Sequence, residues 1–243
     1  MGAGALMDSR RGGEEDTMNI AVVGAGRIGG NAARLLAAAG HDLKLAFSRD
    51  PRHLEELADA IGSRVSVGTP VEAVRFSEVV IFSVPWSVIP LALEQMDDLG
   101  ERIVIDTTNP YGSGPMPAEG QTAAQFNAAR MPGARYTKSF NTLTARFQVE
   151  AAGREGEQRV VQWLCGDDEP AKRIVADLIA AAGYVPVDLG GTADSAVMEA
   201  PRRPGAVYGE EYRLPDAEKA VEAVRAGRPI PPTPRYEQGT DVS

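Results

Sequence analysis

The chain has 243 residues, of which 43% are hydrophobic and 24% charged, and its 25 Lys and Arg against 34 Asp and Glu give a formal net charge of −9. This composition is typical of a globular protein, and the length suits one α/β domain, because single hydrophobic cores stop growing near about 250 residues. The acidic balance argues against nucleic acid and anionic membranes as partners, since both select clustered Lys and Arg.

The scarcity of cysteine and histidine narrows the chemistry further. One cysteine, Cys165, allows no intrachain disulfide, and with only His41 and His53 beside it we expect no metal site and a reducing, cytoplasmic location. No apolar run reaches the roughly 18 to 20 residues of a membrane span. Residues 1–17 lack the apolar core of a signal peptide, and we expect them to form a disordered leader.

Short apolar runs alternate with amphipathic or Ala-rich stretches from residue 18 to about 190, which is the pattern of a parallel sheet covered by helices. Strands are predicted over residues 20–23, 43–47, 64–67, 78–83, 102–106, 134–140, 160–165 and 185–189. Helices are predicted over residues 27–39, 51–60, 86–96, 122–130 and 169–182, with a short one from residue 70. The expected fold over residues 18–190 is a single Rossmann-type, doubly wound, mostly parallel sheet.

The composition changes after Gly190. Residues 201–204 are Pro-Arg-Arg-Pro, a polar helix is predicted over about 215–226, and prolines recur from 229 to 234. Residues 191–243 therefore read as a helical and proline-rich extension rather than a second core. We expect this extension to wrap around its own body or a second subunit, contributing to a substrate pocket, to dimer contacts or to both.

A G-x-G-x-x-G sequence follows the first predicted strand and opens the first predicted helix, which is the context required of a dinucleotide-binding site. Gly24 permits the tight turn, Gly26 lets the backbone approach a pyrophosphate, and Gly29 lets helix and strand pack closely. Free N–H groups at the helix start then bind the anion. The predicted cofactor-binding residues are Gly24, Ala25, Gly26, Arg27, Ile28 and Gly29. The alternative is a packing turn without a ligand.

The end of the second predicted strand indicates which dinucleotide binds. An acidic residue there would hold the ribose 2′-hydroxyl of NAD, but the chain has Ser48 and Arg49, which suit the 2′-phosphate of NADP(H). Asp50 precedes Pro51 and is predicted to cap the next helix. Arg52 and Arg27 are either helpers in phosphate binding or solvated surface charges.

Three further loops follow strand ends, where open α/β sheets bind their ligands. The predicted cofactor contacts in them are Ser83, Val84, Pro85, Asn109, Ser139 and Asn141. Asn141 is also the candidate for orienting the reacting groups. Trp86 is either a stacking wall for a planar substrate or a core tryptophan. The predicted substrate pocket consists of Trp86, Asn109, Met198 and Tyr208.

Seven short segments, in order, resemble the NADPH-dependent reductases of the deazaflavin coenzyme F420 and related dinucleotide-binding oxidoreductases. They are residues 20–26, 39–41, 48–49, 84–85, 106–110, 138–142 and 165–168. The resemblance implies that the glycine turn and Ser48-Arg49 hold NADP, that the Pro85 and Asn141 loops flank the nicotinamide, and that the C-terminal region forms a homodimer. Residues 138–142 also look like a segment of metalloreductase cytoplasmic domains. Residues 198–209 depart from the apolar helical sequence with which the family usually builds its deazaflavin pocket.

Few residues could act as an acid or a base, which favours hydride transfer between flat rings, because the cofactors then supply the redox chemistry. The favoured function is therefore an NADPH-dependent oxidoreductase acting on a small-molecule acceptor, with coenzyme F420 or a flavin as second substrate. One alternative is a reductase of a small imine, enone or carbonyl, with Tyr208, Tyr111 or Glu199 as proton donor. Another is an NADP(H)-binding sensor without turnover.

Overall fold

Strands and helices alternate along residues 17–96, 98–233 and 235–236, which are the residues described by this computed structural model. The strands are β1 (Asn19–Val23), β2 (Asp42–Ala46), β3 (Val65–Val67), β4 (Val79–Phe82), β5 (Ile103–Asp106), β6 (Arg135–Ser139), β7 (Val161–Gly166) and β8 (Val185–Asp188). The helices are α1 (Arg27–Ala38), α2 (Pro51–Ile61), α3 (Pro70–Phe76), α4 (Ile89–Gln95), α5 (Ala123–Ala128), α6 (Ala145–Ala151), α7 (Glu169–Ala181) and α8 (Leu214–Arg225). Short 3₁₀ turns cover Trp86–Val88, Gly156–Gln158 and Thr192–Met198.

The eight strands form one sheet in the order β3-β2-β1-β4-β5-β6-β7-β8. Neighbouring strands are parallel except β6 and β7, which pair antiparallel. The chain runs outward from β1 to β3 and then returns to build the other half from β4, so the strand order reverses between β1 and β4. This arrangement confirms the predicted doubly wound, mostly parallel fold, and each predicted strand is present.

Both faces of the sheet are covered because side chains alternate along each strand. In β5, Ile103 and Ile105 pack in the core beneath α1, α2, α6 and α7, whereas Val104 packs in the core beneath α3, α4, α5 and α8. The strands that are covered on both faces are accordingly rich in Val and Ile. The carboxyl ends of these strands remain uncovered by helices and carry the loops described below.

Local sequence explains several helix boundaries. Asp50 accepts a hydrogen bond from the backbone N–H of Arg52 at 3.1 Å, which confirms the predicted cap of α2. The predicted helix over 86–96 begins instead as a 3₁₀ turn, and the α-helical part starts at Ile89 with Pro90 in its first turn. Helix α6 was not predicted; its start is capped by Thr144, and it packs against α1.

The C-terminal region folds back onto the sheet. Helix α8 lies on the same face as α3, α4 and α5, and the ring of Tyr212 meets that of Trp163 edge-on at a centroid distance of 5.2 Å. The backbone N–H of Gly209 donates to the carbonyl of Thr142 at 2.8 Å, so residues 207–209 run beside the loop that follows β6. This contact brings the neighbouring Tyr208 to the carboxyl end of the sheet.

Some predictions concern features that lie wholly or partly outside the described residues. Of the predicted leader, only Thr17 lies within the described residues. Within residues 17–96, 98–233 and 235–236, no helix combines the length and apolar character that crossing a membrane requires, and no three His, Cys, Asp or Glu side chains gather as a metal site would need. The cytoplasmic location and the homodimer stay predictions.

We expect Ile105→Ala to lower the free energy of unfolding by about 3 kcal/mol, because it leaves a cavity in the fully buried centre of the sheet. The matched control is Leu91→Ala, since Leu91 is 49% exposed on α4 and its truncation creates no cavity. Urea denaturation measures both values. Equal losses in the two variants would contradict the assignment of β5 to the core.

Candidate active site

Two clefts open beyond the carboxyl ends of the strands, at the point where the strand order reverses. The first, here called the β2 cleft, has a volume of about 460 Å³ and includes Phe47, Ser48 and Arg49 at the end of β2. The second, the β5 cleft, has a volume of about 450 Å³ and lies among the loops that follow β4, β5 and β6. Both are lined by Gly26, Ser83, Val84 and Pro85, so they form one continuous groove. Open α/β sheets bind ligands at this position.

The glycine turn forms the floor where the two clefts meet. A Cβ on Gly29 would lie 2.3 Å from the carbonyl oxygen of Gly24, and one on Gly24, whose φ is +92°, would lie 2.5 Å from that of Ser83. A Cβ on Gly26 would meet no atom within 4 Å and would project into open space. Helix α1 begins at this open position without a side-chain cap or an acidic residue in its first turn. The turn thus offers uncapped N–H groups to an anion that can approach the backbone closely.

The β2 cleft carries the residues predicted to read the ribose phosphate. Arg49 is exposed at its edge, and Ser48 lies beside it with its hydroxyl donating to the carbonyl of Asp50 at 2.8 Å. The Asp50 carboxylate already accepts a hydrogen bond from the first turn of α2. Among the described residues His53 also lines this cleft and was missed, because the sequence does not reveal that the first turn of α2 faces the groove. Arg52 does not line it; its side chain is 83% exposed and pairs with Asp50 at 3.5 Å.

The β5 cleft brings together residues from loops far apart in the sequence. Ten of the predicted cofactor and substrate residues line it, namely Gly26, Arg27, Ile28, Ser83, Val84, Pro85, Trp86, Asn109, Asn141 and Tyr208. Thr107, Thr108 and Phe140 line it as well; they lie in the loops predicted to bind the ligand but were not themselves predicted as contacts. Leu143 and Thr144 also line it and come directly after the third of those loops, so a longer loop segment would have included them.

Asn141 occupies a fixed orientation in the β5 cleft. Its side-chain Nδ2 donates to the carbonyl of Met198 at 2.7 Å and to Oδ1 of Asn109 at 3.2 Å, while Nδ2 of Asn109 donates to the carbonyl of Asn141 at 3.0 Å. These bonds fix the orientation of the Asn141 side-chain amide through its Nδ2 and leave Oδ1 outside them. Among the described residues this buried Oδ1 has no hydrogen-bond partner. A buried acceptor without a partner is costly, and a ligand N–H would satisfy it.

Two tyrosines meet across the β5 cleft. The hydroxyl of Tyr111 donates to the hydroxyl of Tyr208 at 2.8 Å, and the rings contact edge-on with centroids 6.4 Å apart. Burial raises the pKa of Tyr208 well above its usual value, and the hydrogen bond with Tyr111 raises this pKa further. Tyr208 therefore keeps its proton at neutral pH, and accepting from Tyr111 leaves that proton available to a ligand.

Met198 and Ser139 are not in the groove, so their predicted roles are wrong. The Met198 side chain is fully buried in the core beneath α5 and α8, and only its carbonyl reaches the site, through Asn141. Ser139 is also fully buried, and its hydroxyl donates to the carbonyl of Trp163 at 2.8 Å. Ser139 faces the interior because Phe140, the next residue along the chain, occupies the groove side.

The contacts of Trp86 and Glu199, two other candidates, are explained by structural roles. Trp86 is 3% exposed, its indole N–H donates to the carbonyl of Pro115 at 2.9 Å, and its ring stacks on Phe126 at 6.0 Å, which favours the core interpretation over a substrate wall. The Glu199 carboxylate accepts the backbone N–H groups of Ala123 and Ala124 at 2.8 and 2.9 Å. It holds the start of α5 and does not line the groove.

The chain is similar to several known proteins. The solved structure of the hypothetical protein SMa0349 from Sinorhizobium meliloti is 30% identical, with a TM-score of 0.72, and covers 83% of this chain and 98% of its own. A family model described as NADP oxidoreductase coenzyme F420-dependent matches residues 19–110, which include the glycine turn, Ser48 and Arg49. Over residues 19–110 the chain is therefore similar to the NADP-dependent oxidoreductases that this model describes, and the match supports NADP(H) as the ligand of the groove.

Two other relatives have informative names. A putative F420-dependent NADP-reductase from Arthrobacter sp. FB24 shares the fold with a TM-score of 0.63 at 24% identity, covering 73% of this chain and 87% of its own. Metalloreductase STEAP3 of Rattus norvegicus is 26% identical over 186 residues, which is 76% of this chain. The chain spans only 36% of the length of that curated relative.

We expect Gly26→Ala to weaken NADPH binding by about tenfold or more, because the added methyl group occupies the space through which a phosphate approaches the N–H groups of α1. Its free energy of unfolding changes by no more than about 1 kcal/mol. Gly29→Ala is the contrasting variant, since its methyl group collides with the Gly24 carbonyl and disrupts folding. Fluorescence titration with NADPH and thermal unfolding measure the two effects; unchanged NADPH affinity in Gly26→Ala would be inconsistent with this site.

Proposed function

We propose that the groove binds NADPH with its adenosine end in the β2 cleft and its nicotinamide end in the β5 cleft, and that the β5 cleft then takes a planar ring acceptor such as a deazaflavin or a flavin. The observation that carries this proposal is the continuity of the two clefts over an uncapped helix start, with the second cleft lined by Asn141, whose buried Oδ1 has no hydrogen-bond partner among the described residues. A dinucleotide has this shape, with a central anion between two ring systems.

The charges around the β2 cleft favour NADPH over NADH. Arg49 is exposed and can form paired, charge-assisted hydrogen bonds with a 2′-phosphate, and the Ser48 hydroxyl lies next to it. The nearest carboxylate, that of Asp50, accepts the N–H of Arg52 and pairs with its guanidinium. The position that an acidic residue takes in NAD-binding proteins is therefore occupied by a cation.

The β5 cleft suits the nicotinamide end. Oδ1 of Asn141 can accept an N–H of the carboxamide, which gives the ring one orientation. Val84, Pro85, Phe140 and Leu143 supply apolar walls that exclude water from the ring. Bound NADPH supplies the hydride, while this chain aligns the donor and acceptor rings, and alignment is the part of catalysis that a rigid cleft provides.

The residues around the β5 cleft favour an acceptor that needs no protein acid. Its described lining includes no carboxylate, His, Lys or Cys side chain, and Arg27 is its one charged residue. A deazaflavin or flavin ring accepts the hydride and can take the accompanying proton from water, so the reaction balances without a protein donor. Tyr111 and Tyr208 add aromatic edges beside such a ring.

A second candidate function rests on the Tyr208 hydroxyl. Because this group keeps its proton and lines the cleft, it could protonate a small imine or carbonyl as the hydride arrives. Reduction of these substrates requires a donor close to the reacting atom, whereas ring acceptors can use solvent. The two functions therefore differ in their dependence on one hydroxyl.

We expect Arg49→Ala to raise the Kd for NADPH by about ten- to a hundredfold while leaving the Kd for NADH unchanged, because a charge-assisted contact to phosphate is lost. Arg52→Ala is the matched control, since its exposed side chain lies outside the groove, and we expect less than about a twofold change. Fluorescence titration gives both constants. Equal affinity of the unaltered chain for NADH and NADPH would defeat the NADP assignment.

Tyr208→Phe separates the two candidate functions. With coenzyme F420 or a flavin as acceptor we expect the rate of NADPH oxidation to change by less than about threefold, whereas with a cyclic imine a general acid predicts a loss of about a hundredfold. Tyr111→Phe is the control, because it removes the hydrogen bond between the two hydroxyls and leaves the Tyr208 proton in place. A hundredfold loss with the ring acceptor would favour the second function, and NADPH binding without oxidation by either acceptor would indicate a sensor.

A further inference from the structure

Four polar side chains lie buried together beneath the β5 cleft, and none of them lines the groove. They are Asp106, Asn127, Tyr136 and Lys138. Asp106 and Lys138 are both fully buried, and they are register partners at the carboxyl ends of β5 and β6. Neither hydride transfer nor cofactor contact, as described above, uses these residues, so the burial of two opposite charges calls for a separate explanation.

The Asp106 carboxylate is fully engaged. Its Oδ1 accepts the backbone N–H of Thr108 at 2.7 Å. Its Oδ2 accepts from Nδ2 of Asn127 at 2.8 Å and from the Tyr136 hydroxyl at 2.5 Å, and it lies 3.5 Å from Nζ of Lys138. Every one of these partners presents a hydrogen or a positive charge to the carboxylate.

These groups hold one residue of the cleft wall at three points. Asp106 takes the N–H of Thr108, Nζ of Lys138 donates to the Thr108 carbonyl at 2.7 Å, and Nδ2 of Asn127 donates to the Thr108 hydroxyl at 3.1 Å. The next residue along the chain is Asn109, which interlocks with Asn141 through two hydrogen bonds. Thr108 therefore connects the buried charges to the pair formed by Asn109 and Asn141, and Oδ1 of Asn141 has no partner among the described residues.

Stability alone is a weak reason for such an arrangement. Removing two charges from water costs several kcal/mol, and apolar side chains of similar volume are often as stabilising or more so. Val104 and Cys165, which lie beside the pair in the sheet, would give such side chains apolar neighbours. What apolar side chains could not do is bond both backbone groups of Thr108.

We propose that Asp106 and Lys138 are positioning residues that hold Thr108 and Asn109 so that the β5 cleft is formed before the nicotinamide end of the cofactor enters it. This inference rests on the proposed function, since it takes the β5 cleft as the nicotinamide site. Preformed binding geometry avoids the cost of ordering a loop on binding. Loss of the pair should consequently weaken the nicotinamide end alone.

The test compares two ligands that share the adenosine end, NADPH and 2′-phospho-ADP-ribose, which lacks nicotinamide. In Lys138→Met and in Asp106→Asn we expect the Kd for NADPH to rise by about tenfold or more and the Kd for 2′-phospho-ADP-ribose to change by less than about twofold. Lys172→Met is the matched control, because Lys172 is a buried lysine paired with Asp188 on α7 and β8, away from the groove. It should leave both constants unchanged.

Single variants leave a buried charge without its partner and can fail to fold, so two further variants keep the test decisive. The double variant Asp106→Asn with Lys138→Met removes both charges, and Tyr136→Phe removes only one hydrogen bond to Asp106. We expect the same selective loss for NADPH in both, smaller in Tyr136→Phe. Thermal unfolding monitors the fold throughout.

The possible outcomes are distinct. A parallel loss of affinity for both ligands, or no loss for either in a folded variant, would overturn the positioning role. If the unaltered chain bound NADPH no more tightly than 2′-phospho-ADP-ribose, the nicotinamide would not lie in the β5 cleft. The proposed function would then be wrong, and so would the inference that rests on it. Selective loss for NADPH with an unaffected Lys172→Met control supports the inference.

Discussion

The close approach of α1 to the ends of β1 and β4 is the constraint on which the rest of the site depends. With a hydrogen in place of a Cβ at Gly24 and Gly29, the helix start can press against the strand ends to within a distance that any side chain would prevent. The groove then opens where the strand order reverses, with the N–H groups of α1 at its floor. The loops after β4, β5 and β6 are arranged around this floor, each supplying one wall.

Net charge and local charge have opposite signs in this molecule. The chain as a whole carries −9, yet the proposed cofactor is a polyanion. The contradiction is only apparent, because exposed charges are screened beyond roughly 8 to 10 Å at physiological salt, so the few groups that touch the ligand dominate. In the groove these are Arg27 and Arg49, while Asp50 is neutralised by α2 and Arg52. A global charge excludes some macromolecular partners without excluding a small anion.

All eight strands were predicted, most of them from apolar runs, because strands covered on both faces are rich in apolar residues, and spacing alone predicted the glycine turn and the Asp50 cap. Helix α6 could not be found this way, since its seven residues are stabilised by packing against α1. Met198 and Ser139 were wrongly placed because a loop position does not reveal which way a side chain faces. The pairing of Asp106 with Lys138 depends on the register of β5 and β6, and no local pattern contains that information.

The hydrogen bond between Gly209 and Thr142 brings two distant parts of the chain together beside the groove. The family match ends at residue 110, so it covers the glycine turn, the end of β2 and the loops after β4 and β5, but neither Asn141 nor Tyr208. The wall that an acceptor would touch is thus supplied by a stretch of chain that can change without altering any residue of the glycine turn or the β2 cleft. Relatives that share the glycine turn and the β2 cleft can therefore differ in the acceptor that they reduce. We expect such differences to appear as sequence changes at residues 198–209.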